Sequence, residues 1–113
     1  MNTPTKFLIR VQNLLDGFGR ADQPFDPIAR DILLFIAAEH DEGKRMRVSD
    51  IRFNAQFGSP ATALGRLQKL IEEGWVTTSP DPEDGRAQVL RLSKKSEREI
   101  VRLTAHIKGL LKQ

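Results

Sequence analysis

The sequence predicts a mainly α-helical fold with one small β-hairpin, in which the hairpin follows directly on a helix-turn-helix. Three observations lead to this fold class. Residues 59–74 carry the start and stop signals of a single helix. A short helical segment and a glycine-containing turn, residues 50–58, come immediately before that helix. Two β-prone segments, residues 75–79 and 87–92, follow it and are separated by a loop rich in turn-forming residues.

The helix at residues 59–74 is bounded by residues suited to its two ends. Ser59 is a good N-cap, because its hydroxyl can accept a hydrogen bond from an unpaired amide of the first turn. Pro60 follows at the first helical position, where no amide donor is needed. Gly74 stands where a left-handed residue would end the helix. Its apolar residues recur at helical spacing and form one face: Ala63, Leu67, Leu70 and Ile71.

The opposite face of this helix is small near the helix start, hydrogen-bonding and basic. A helix laid in a major groove needs a polar face narrow enough to approach the base edges. The sequence therefore predicts a DNA-recognition helix that buries its apolar side and turns its polar side to a duplex. The predicted DNA-binding residues are Ser59, Ala61, Thr62, Gly65, Gln68 and Lys69, with Arg66 on the flank and Arg86 from the loop of the hairpin.

Several of these residues also have a purely structural interpretation. Ser59 is first of all a cap, and Thr62 and Gln68 can be merely solvated. Arg66 and Lys69 can reach phosphate, which would anchor binding without reading sequence. Their alternative is a weak surface ion pair with the acidic residues at the end of the same helix, Glu72 or Glu73.

Three longer helices are predicted from cap and proline signals. They span about residues 3–17, 27–40 and 94–112, and they begin after Thr3, Asp26 and Ser93. The middle one is apolar over most of its circumference and is expected to be the central core helix. Glycines and a proline predict a loop over residues 17–25.

The segment before the recognition helix is expected to contain a very short strand at residues 46–48. Ser49 would then cap a short helix at about residues 50–54, anchored by Ile51 and Phe53. Trp75, directly after the recognition helix, is expected to be a core residue behind it. Helix, turn, helix and hairpin in this order are the winged helix-turn-helix plan, and residues 80–87 form its wing.

Composition sets limits on function. The 113 residues fit one domain, and the net charge of +3 favours an acidic partner only weakly. The chain has no cysteine, and its two histidines, His40 and His106, have no second ligand at metal-binding spacing. The sequence has no phosphate-binding glycine loop, no evident pair of carboxylates and no serine placed as a nucleophile. We therefore expect neither a cofactor nor an enzyme. The start of the chain is no signal peptide and no apolar run could span a bilayer, so no membrane partner is predicted and the cytoplasm is the expected compartment.

The two terminal helices carry more apolar surface than one small core requires. The start of the chain contributes Phe7, Val11, Leu14 and Phe18, and the last helix carries Ile100, Leu103, Ile107, Leu110 and Leu111. We therefore predict that residues 1–113 form a single winged-helix domain whose terminal helices, about 3–17 and 94–112, form a homodimer interface. The alternative is that the two helices cover each other within one monomer.

Residues 48–99 resemble the MarR family of bacterial winged-helix regulators. The resemblance is carried by Gly58-Ser59, by Thr62, by Leu70-Ile71-Glu72-Glu73-Gly74, and most specifically by the wing Asp81-Pro82-Glu83-Asp84-Gly85-Arg86-Ala87 running into Leu90-Arg91-Leu92-Ser93-Lys94-Lys95. It implies a homodimer that binds a roughly palindromic operator, with the helix from Ser59 in the major groove and the wing at the minor groove or on its phosphates. Many members release DNA on binding a phenolic or other small ligand, so it also implies an unidentified small-molecule effector.

The chain departs from the family pattern at three places. Gly85 and Gly65 stand where the family usually carries arginines, in the wing and in the recognition helix, and the terminal helices are shorter. Few side chains then remain for bidentate base contacts, so we expect modest sequence preference or preference drawn from DNA shape. Arg86 can reach the minor groove or pair with Asp84 or Asp81. The alternative function is a winged-helix protein–protein interaction module without DNA binding, suggested by the small reading face and the acidic wing.

Overall fold

The architecture is a winged helix-turn-helix with an added helix at each end. A computed structural model describes residues 3–20 and 25–112. Its elements are α1 (Pro4–Asp16), α2 (Pro27–Asp41), β1 (Met46–Arg47), α3 (Val48–Arg52), α4 (Pro60–Glu72), β2 (Val76–Pro80), β3 (Gln88–Leu92) and α5 (Lys94–Leu111), with 3₁₀ turns at Phe18–Arg20 and Ala55–Phe57. The predicted fold class is therefore confirmed.

The local capping signals act as the sequence indicates. Side chains of Thr3, Asp26, Ser59 and Ser93 each accept a hydrogen bond from a backbone amide of the helix that follows. Such a cap satisfies one of the amides that a helix start leaves unpaired. Gly74 has a φ of 80°, a left-handed value that suits glycine, and α4 ends just before it.

The hairpin is extended by a third strand. The sheet is antiparallel throughout, and its order is β1-β3-β2. Met46 lies opposite Leu90, and Val76 lies opposite Leu92. The short strand at residues 46–47 therefore fastens the segment before the helix-turn-helix to the hairpin that follows it.

The core lies where α2 packs against α4 and the sheet, with α3 packed on α4. Three side chains of α2, Ile32, Leu33 and Ile36, are completely buried. From the helix-turn-helix, the buried members of the same cluster are Ile51, Phe57, Ala63, Leu67 and Leu70. The predicted central helix and the predicted apolar face of α4 are thus both in the core, with Ile71 half-buried at its edge.

An aromatic cluster joins the terminal part of the chain to this core. The rings of Phe18, Phe25 and Trp75 lie with centroids 4.8 to 5.6 Å apart. The ammonium of Lys95 in α5 lies 3.8 Å from the centre of the Trp75 ring, and the hydroxyl of Ser96 donates to the Trp75 carbonyl. Trp75 is buried, as the sequence predicts, and it holds the start of α5 against the end of α4.

The structure corrects the prediction for the first helix of the helix-turn-helix. That helix begins at Val48, before Ser49, because the carboxylate of Asp50 accepts the amide of Arg47 at 2.8 Å and stabilises an earlier start. Phe53 does not anchor it, since 68% of this residue is exposed. Part of the predicted loop at 17–25 is the 3₁₀ turn Phe18–Arg20, and positions 21–24 lie outside the described residues.

Candidate nucleic-acid interface

The start of α4 is fixed by two neighbouring hydroxyls. Ser59 Oγ accepts the amide of Thr62 at 3.2 Å and donates to Thr62 Oγ1 at 3.0 Å. The Thr62 hydroxyl therefore has an oriented oxygen and its own proton left to donate. Ser59 is exposed and Thr62 half-buried, so the first turn of α4 presents this pair at the surface.

Most of the predicted reading face of α4 is open to solvent. Ala61, Gly65, Gln68 and Lys69 are all exposed. A Cβ added at Gly65 would meet no atom within 4 Å, so no neighbour within the described fold requires a glycine there. The face is consequently shallow at Ala61 and Gly65 and carries its longer polar side chains one turn later.

Arg66 is held away from this face. Its Nε donates to the carboxylate of Asp26, the N-cap of α2, at 3.0 Å. The partner lies 40 residues earlier in the chain, and it is neither of the two glutamates that the sequence suggested. Lys69 does have the expected local partner, Glu73, at the long distance of 3.9 Å. Of the two cations, Lys69 is therefore the freer to meet a phosphate.

The base of the wing is locked by a buried carboxylate. The side chain of Asp81 is fully buried, and both of its oxygens are occupied. Oδ1 accepts from Arg45 Nη1 at 3.0 Å and from the amide of Glu83 at 2.9 Å. Oδ2 accepts from Arg47 Nε at 2.8 Å, and Arg47 Nη2 lies 2.6 Å from the same oxygen. The planar guanidinium of Arg47 thus meets Asp81 through two of its nitrogens, which fixes its orientation.

This lock has an electrostatic consequence. The amide of Glu83 lowers the pKa of Asp81, and the hydrogen bond and charge of Arg47 and the charge of Arg45 act in the same direction against the opposing effect of burial. Asp81 is therefore ionised at neutral pH, and the wing stays tied to the strand that precedes the helix-turn-helix.

The sequence did not identify this lock. It offered Asp81 as a turn former or as a partner of Arg86, whereas the actual partners, Arg45 and Arg47, lie about 35 residues earlier. No local spacing could have revealed them. The only sequence signal is the basic pair itself, placed just before the first helix of the helix-turn-helix.

Arg86 lies at the tip of the wing with 96% of its side chain exposed. Its Nε is 3.5 Å from the carboxylate of Asp84, which also accepts the Arg86 amide at 3.1 Å. Asp84 is thus the closer of the two partners that the sequence suggested. A contact of this length at the surface is weak and leaves the guanidinium able to exchange it for another anion.

The described residues show neither a metal-binding cluster nor a helix suited to a membrane. Among them, no group of three or more histidine, aspartate and glutamate side chains is placed to hold a metal ion. None of the helices in the part of the chain that the structure describes is long and apolar enough to cross a membrane.

The sequence that forms this geometry matches a known protein family. Residues 29–96, more than half of the chain, match the family model described as the winged helix DNA-binding domain. The chain belongs to this family. The match runs from α2 through the helix-turn-helix and the wing to the start of α5, so the DNA-binding elements of the family are those described above.

Solved structures show the same fold. The transcriptional regulator Tm0710 from Thermotoga maritima is 24% identical over 96% of this chain and 69% of its own, with a TM-score of 0.72. The adhesin competence repressor AdcR from Streptococcus pyogenes is 18% identical, with coverage of 98% and 78% and a TM-score of 0.57. A cysteine-to-serine mutant of MarR from E. coli, complexed with operator DNA, is 15% identical, with coverage of 95% and 69% and a TM-score of 0.57. No curated protein sequence matches the chain.

The resemblance to MarR-type regulators is therefore confirmed. At these sequence identities it is a resemblance of the fold. In this winged-helix DNA-binding domain, α4 is the second helix of the helix-turn-helix and residues 80–87 form the wing. The function expected from the sequence, DNA-binding regulation of transcription, agrees with the family and with the regulators that share the fold.

Proposed function

We propose that this winged-helix protein regulates transcription by placing α4 in the major groove of double-stranded DNA and its wing at the adjacent minor groove or its phosphates. One observation carries the proposal: Gln68 and Lys69 are exposed and Thr62 is only half-buried on the outer side of α4, while its apolar side is in the core. Lys69 and the amides around Ser59 contact phosphate, and Thr62 and Gln68 contact base edges. Ala61 and Gly65 let the helix approach closely, and Arg86 enters or borders the minor groove.

The first experiment is a selection from random duplex DNA followed by affinity titration. The wild type should bind at low salt and lose affinity as salt is added, because neutralising phosphates releases counterions. Lys69→Ala should weaken all sequences about equally, whereas Gln68→Ala should change the preferred base at one position, where a good contact discriminates by about 1–3 kcal/mol. Absence of binding at low salt would contradict the proposal. A stoichiometric protein partner without a DNA footprint would support the interaction-module alternative.

The proposal includes a homodimer formed through the terminal helices. α1 packs against α5, yet α1 contains no buried residue. Leu8 is 64% exposed in α1 and Leu111 is 67% exposed in α5, and Ile9 and Val101 are also open to solvent. The two helices thus cover each other only in part within one chain. A second copy that covers this surface would bring two recognition helices to a two-fold symmetric site, with half-sites about one helical turn apart.

The remaining parts of the proposal concern partners and compartment. A groove of about 530 Å³ lies between α1 and α5. Its apolar lining is Leu14, Ala105 and Leu110, and its polar lining is Arg10, Asn13 and His106. We assign the unidentified small effector to this groove. The protein acts in the cytoplasm as a binding protein, without catalysis and without a cofactor. Titration of small phenolic acids into a preformed protein–DNA complex tests the effector, which should release the DNA.

A further inference from the structure

A second basic surface lies beside the recognition helix. A cleft of about 390 Å³ separates α3 from the base of the wing. Three of its lining residues are arginines: Arg47 at the start of α3, Arg52 at its end, and Arg86 on the wing. None of its described lining residues is acidic. Phe53 also lines the cleft on the α3 side, and Gln88 lines it on the β3 side.

The three arginines differ in how far their charge is already neutralised. Arg47 is bound at both Nε and Nη2 by the buried carboxylate of Asp81. Arg86 has the long contact to Asp84 described above. Arg52 forms no ion pair with any described carboxylate, and its guanidinium instead lies 5.2 Å from the centre of the Phe53 ring. Arg52 is therefore the main source of uncompensated positive charge in the cleft.

The stacking of Arg52 on Phe53 also explains why an aromatic residue is exposed here. A guanidinium over an aromatic face is attracted by the ring and is held in one plane. Phe53 lies at the end of α3 with 68% of its surface exposed, and it is not among the described residues of the core cluster or those packed against it. Its ring is placed to orient Arg52 at the mouth of the cleft.

The position of the cleft relative to α4 and the wing identifies its ligand. In a helix-turn-helix the second helix enters the major groove while the first crosses the phosphate backbone. With α4 in the major groove and the wing at the minor groove, the strand that separates the two grooves passes over α3 and the base of the wing. Arginine's planar fork suits phosphate oxygens, and a contact of this kind positions the protein without reading the bases.

We propose that the α3–wing cleft is a phosphate site for the DNA backbone, in which Arg52 is the principal contact and Phe53 the residue that positions it. The site rests on the proposed function, because it presumes a duplex bound by α4. Its phosphate contact adds to those of α4. That helix offers few cations, because Arg66 is paired with Asp26 and Gly65 has no side chain.

The test compares wild type, Arg52→Gln and Lys44→Gln on one selected duplex over a range of salt concentrations. Lys44→Gln removes the same unit of charge from an ammonium that Glu39 and Glu42 already hold at 3.4 Å, outside the cleft. Arg52→Gln should flatten the plot of log affinity against log salt by about 0.9 for each subunit bound. Its affinity deficit for a single subunit should then shrink about threefold between about 50 and 200 mM salt. Lys44→Gln should leave the slope unchanged.

Two further variants separate a contact from a change in folding. Arg52→Lys should restore the salt slope but not the full affinity, because the charge returns without the planar fork. Phe53→Leu should lower affinity in the wild-type background and have no added effect once Arg52→Gln is present. Both variants should keep the thermal unfolding midpoint of the wild type, since Arg52 and Phe53 are exposed.

Duplexes with one methylphosphonate each locate the contact. Neutralising the phosphate between the two grooves should weaken the wild type and leave Arg52→Gln unaffected. If the wild type binds DNA and Arg52→Gln behaves as Lys44→Gln does, the phosphate site is wrong while the proposed function stands. If the wild type binds no duplex but Arg52→Gln abolishes capture of an acidic peptide, the cleft serves a protein partner and both proposals are overturned.

Discussion

Gly65 stands in the middle of the exposed face of α4, with empty space around the position of a Cβ. Glycine inside a helix destabilises it by roughly 0.5–1 kcal/mol relative to alanine. Gly65→Ala should therefore raise the free energy of unfolding by about that amount, as measured by urea denaturation. If α4 seats closely on the bases, the same methyl group should lower DNA affinity or shift the selected sequence.

Ala38→Gly is the matched control for this change. Ala38 is exposed within α2, away from the face of α4 and from the terminal helices. It exchanges the same methyl group in the opposite direction, so it should lower the free energy of unfolding by a similar amount and leave the selected DNA sequence unchanged. A Gly65→Ala protein that is stabilised and selects the wild-type sequence with wild-type affinity would contradict close seating of this face.

At the residue scale, helix caps and helix ends could be predicted from the sequence, because they depend on neighbours along the chain. The caps at Asp26, Ser59 and Ser93 and the left-handed Gly74 are local, because each acts on residues no more than four positions away. Phe53 shows the limit of such reasoning. An aromatic residue after Ile51 suggests a second core anchor, yet the early end of α3 leaves the ring at the surface.

At the scale of elements, the positions of α4 and the wing depend on contacts that no local pattern encodes. The ion pair between Arg66 and Asp26 joins α4 to the start of α2, and the Asp81 lock joins the wing to the strand before α3. Both join residues more than 30 positions apart. The helix, the wing and their order could be predicted from periodicity and turn residues, but the side chains that fix their mutual orientation could not.

The Asp81 lock makes the wing acid-sensitive. A carboxyl whose pKa is lowered by folding contributes stability that is complete above its usual value of 3.8 and is lost as pH falls through the lower folded value. Asp81→Asn should therefore destabilise the protein at neutral pH. The difference in unfolding free energy between wild type and variant should be constant above about pH 5 and should shrink as pH falls through and below 3.8, since only the wild type loses the charged form.

Chemical denaturation at several pH values measures this difference. Asp84→Asn is the control in the same loop, because the Asp84 carboxylate is partly exposed and bonds within its own turn. It should cost less stability than Asp81→Asn at neutral pH. DNA affinity at neutral pH should fall for Asp81→Asn, because the amide keeps only one acceptor oxygen and no charge for the two arginines at the base of the wing. A pH-independent difference between wild type and Asp81→Asn would contradict the charge-based lock.

At the scale of the whole molecule, we propose that the terminal helices govern how α4 is used, by joining two copies of the chain. The chain is elongated, with extents of 54 × 26 × 25 Å. Within residues 3–20 and 25–112, the exposed large aliphatic residues all lie on α1 or α5: Leu8, Ile9, Val101 and Leu111. A single recognition helix with a shallow reading face offers few contacts that discriminate between bases. Two copies reading a symmetric site would double the contacts without any change in the face itself, since separated positions contribute roughly additively.

Leu8→Glu tests this arrangement. Leu8 is largely exposed in one chain, so the substitution should leave the fold of a monomer intact, whereas a charge placed in an apolar interface without a partner is strongly unfavourable. Analytical ultracentrifugation should show a dimer for the wild type and a monomer for the variant. Ala38→Glu, which adds the same charge at an exposed position of α2, should remain dimeric. Leu8→Glu should also lose its preference for a two-fold symmetric site while keeping salt-dependent binding to any duplex. If the wild type is monomeric at all concentrations and still selects a symmetric motif, the subunits meet only on DNA. If Leu8→Glu stays dimeric, the interface lies elsewhere.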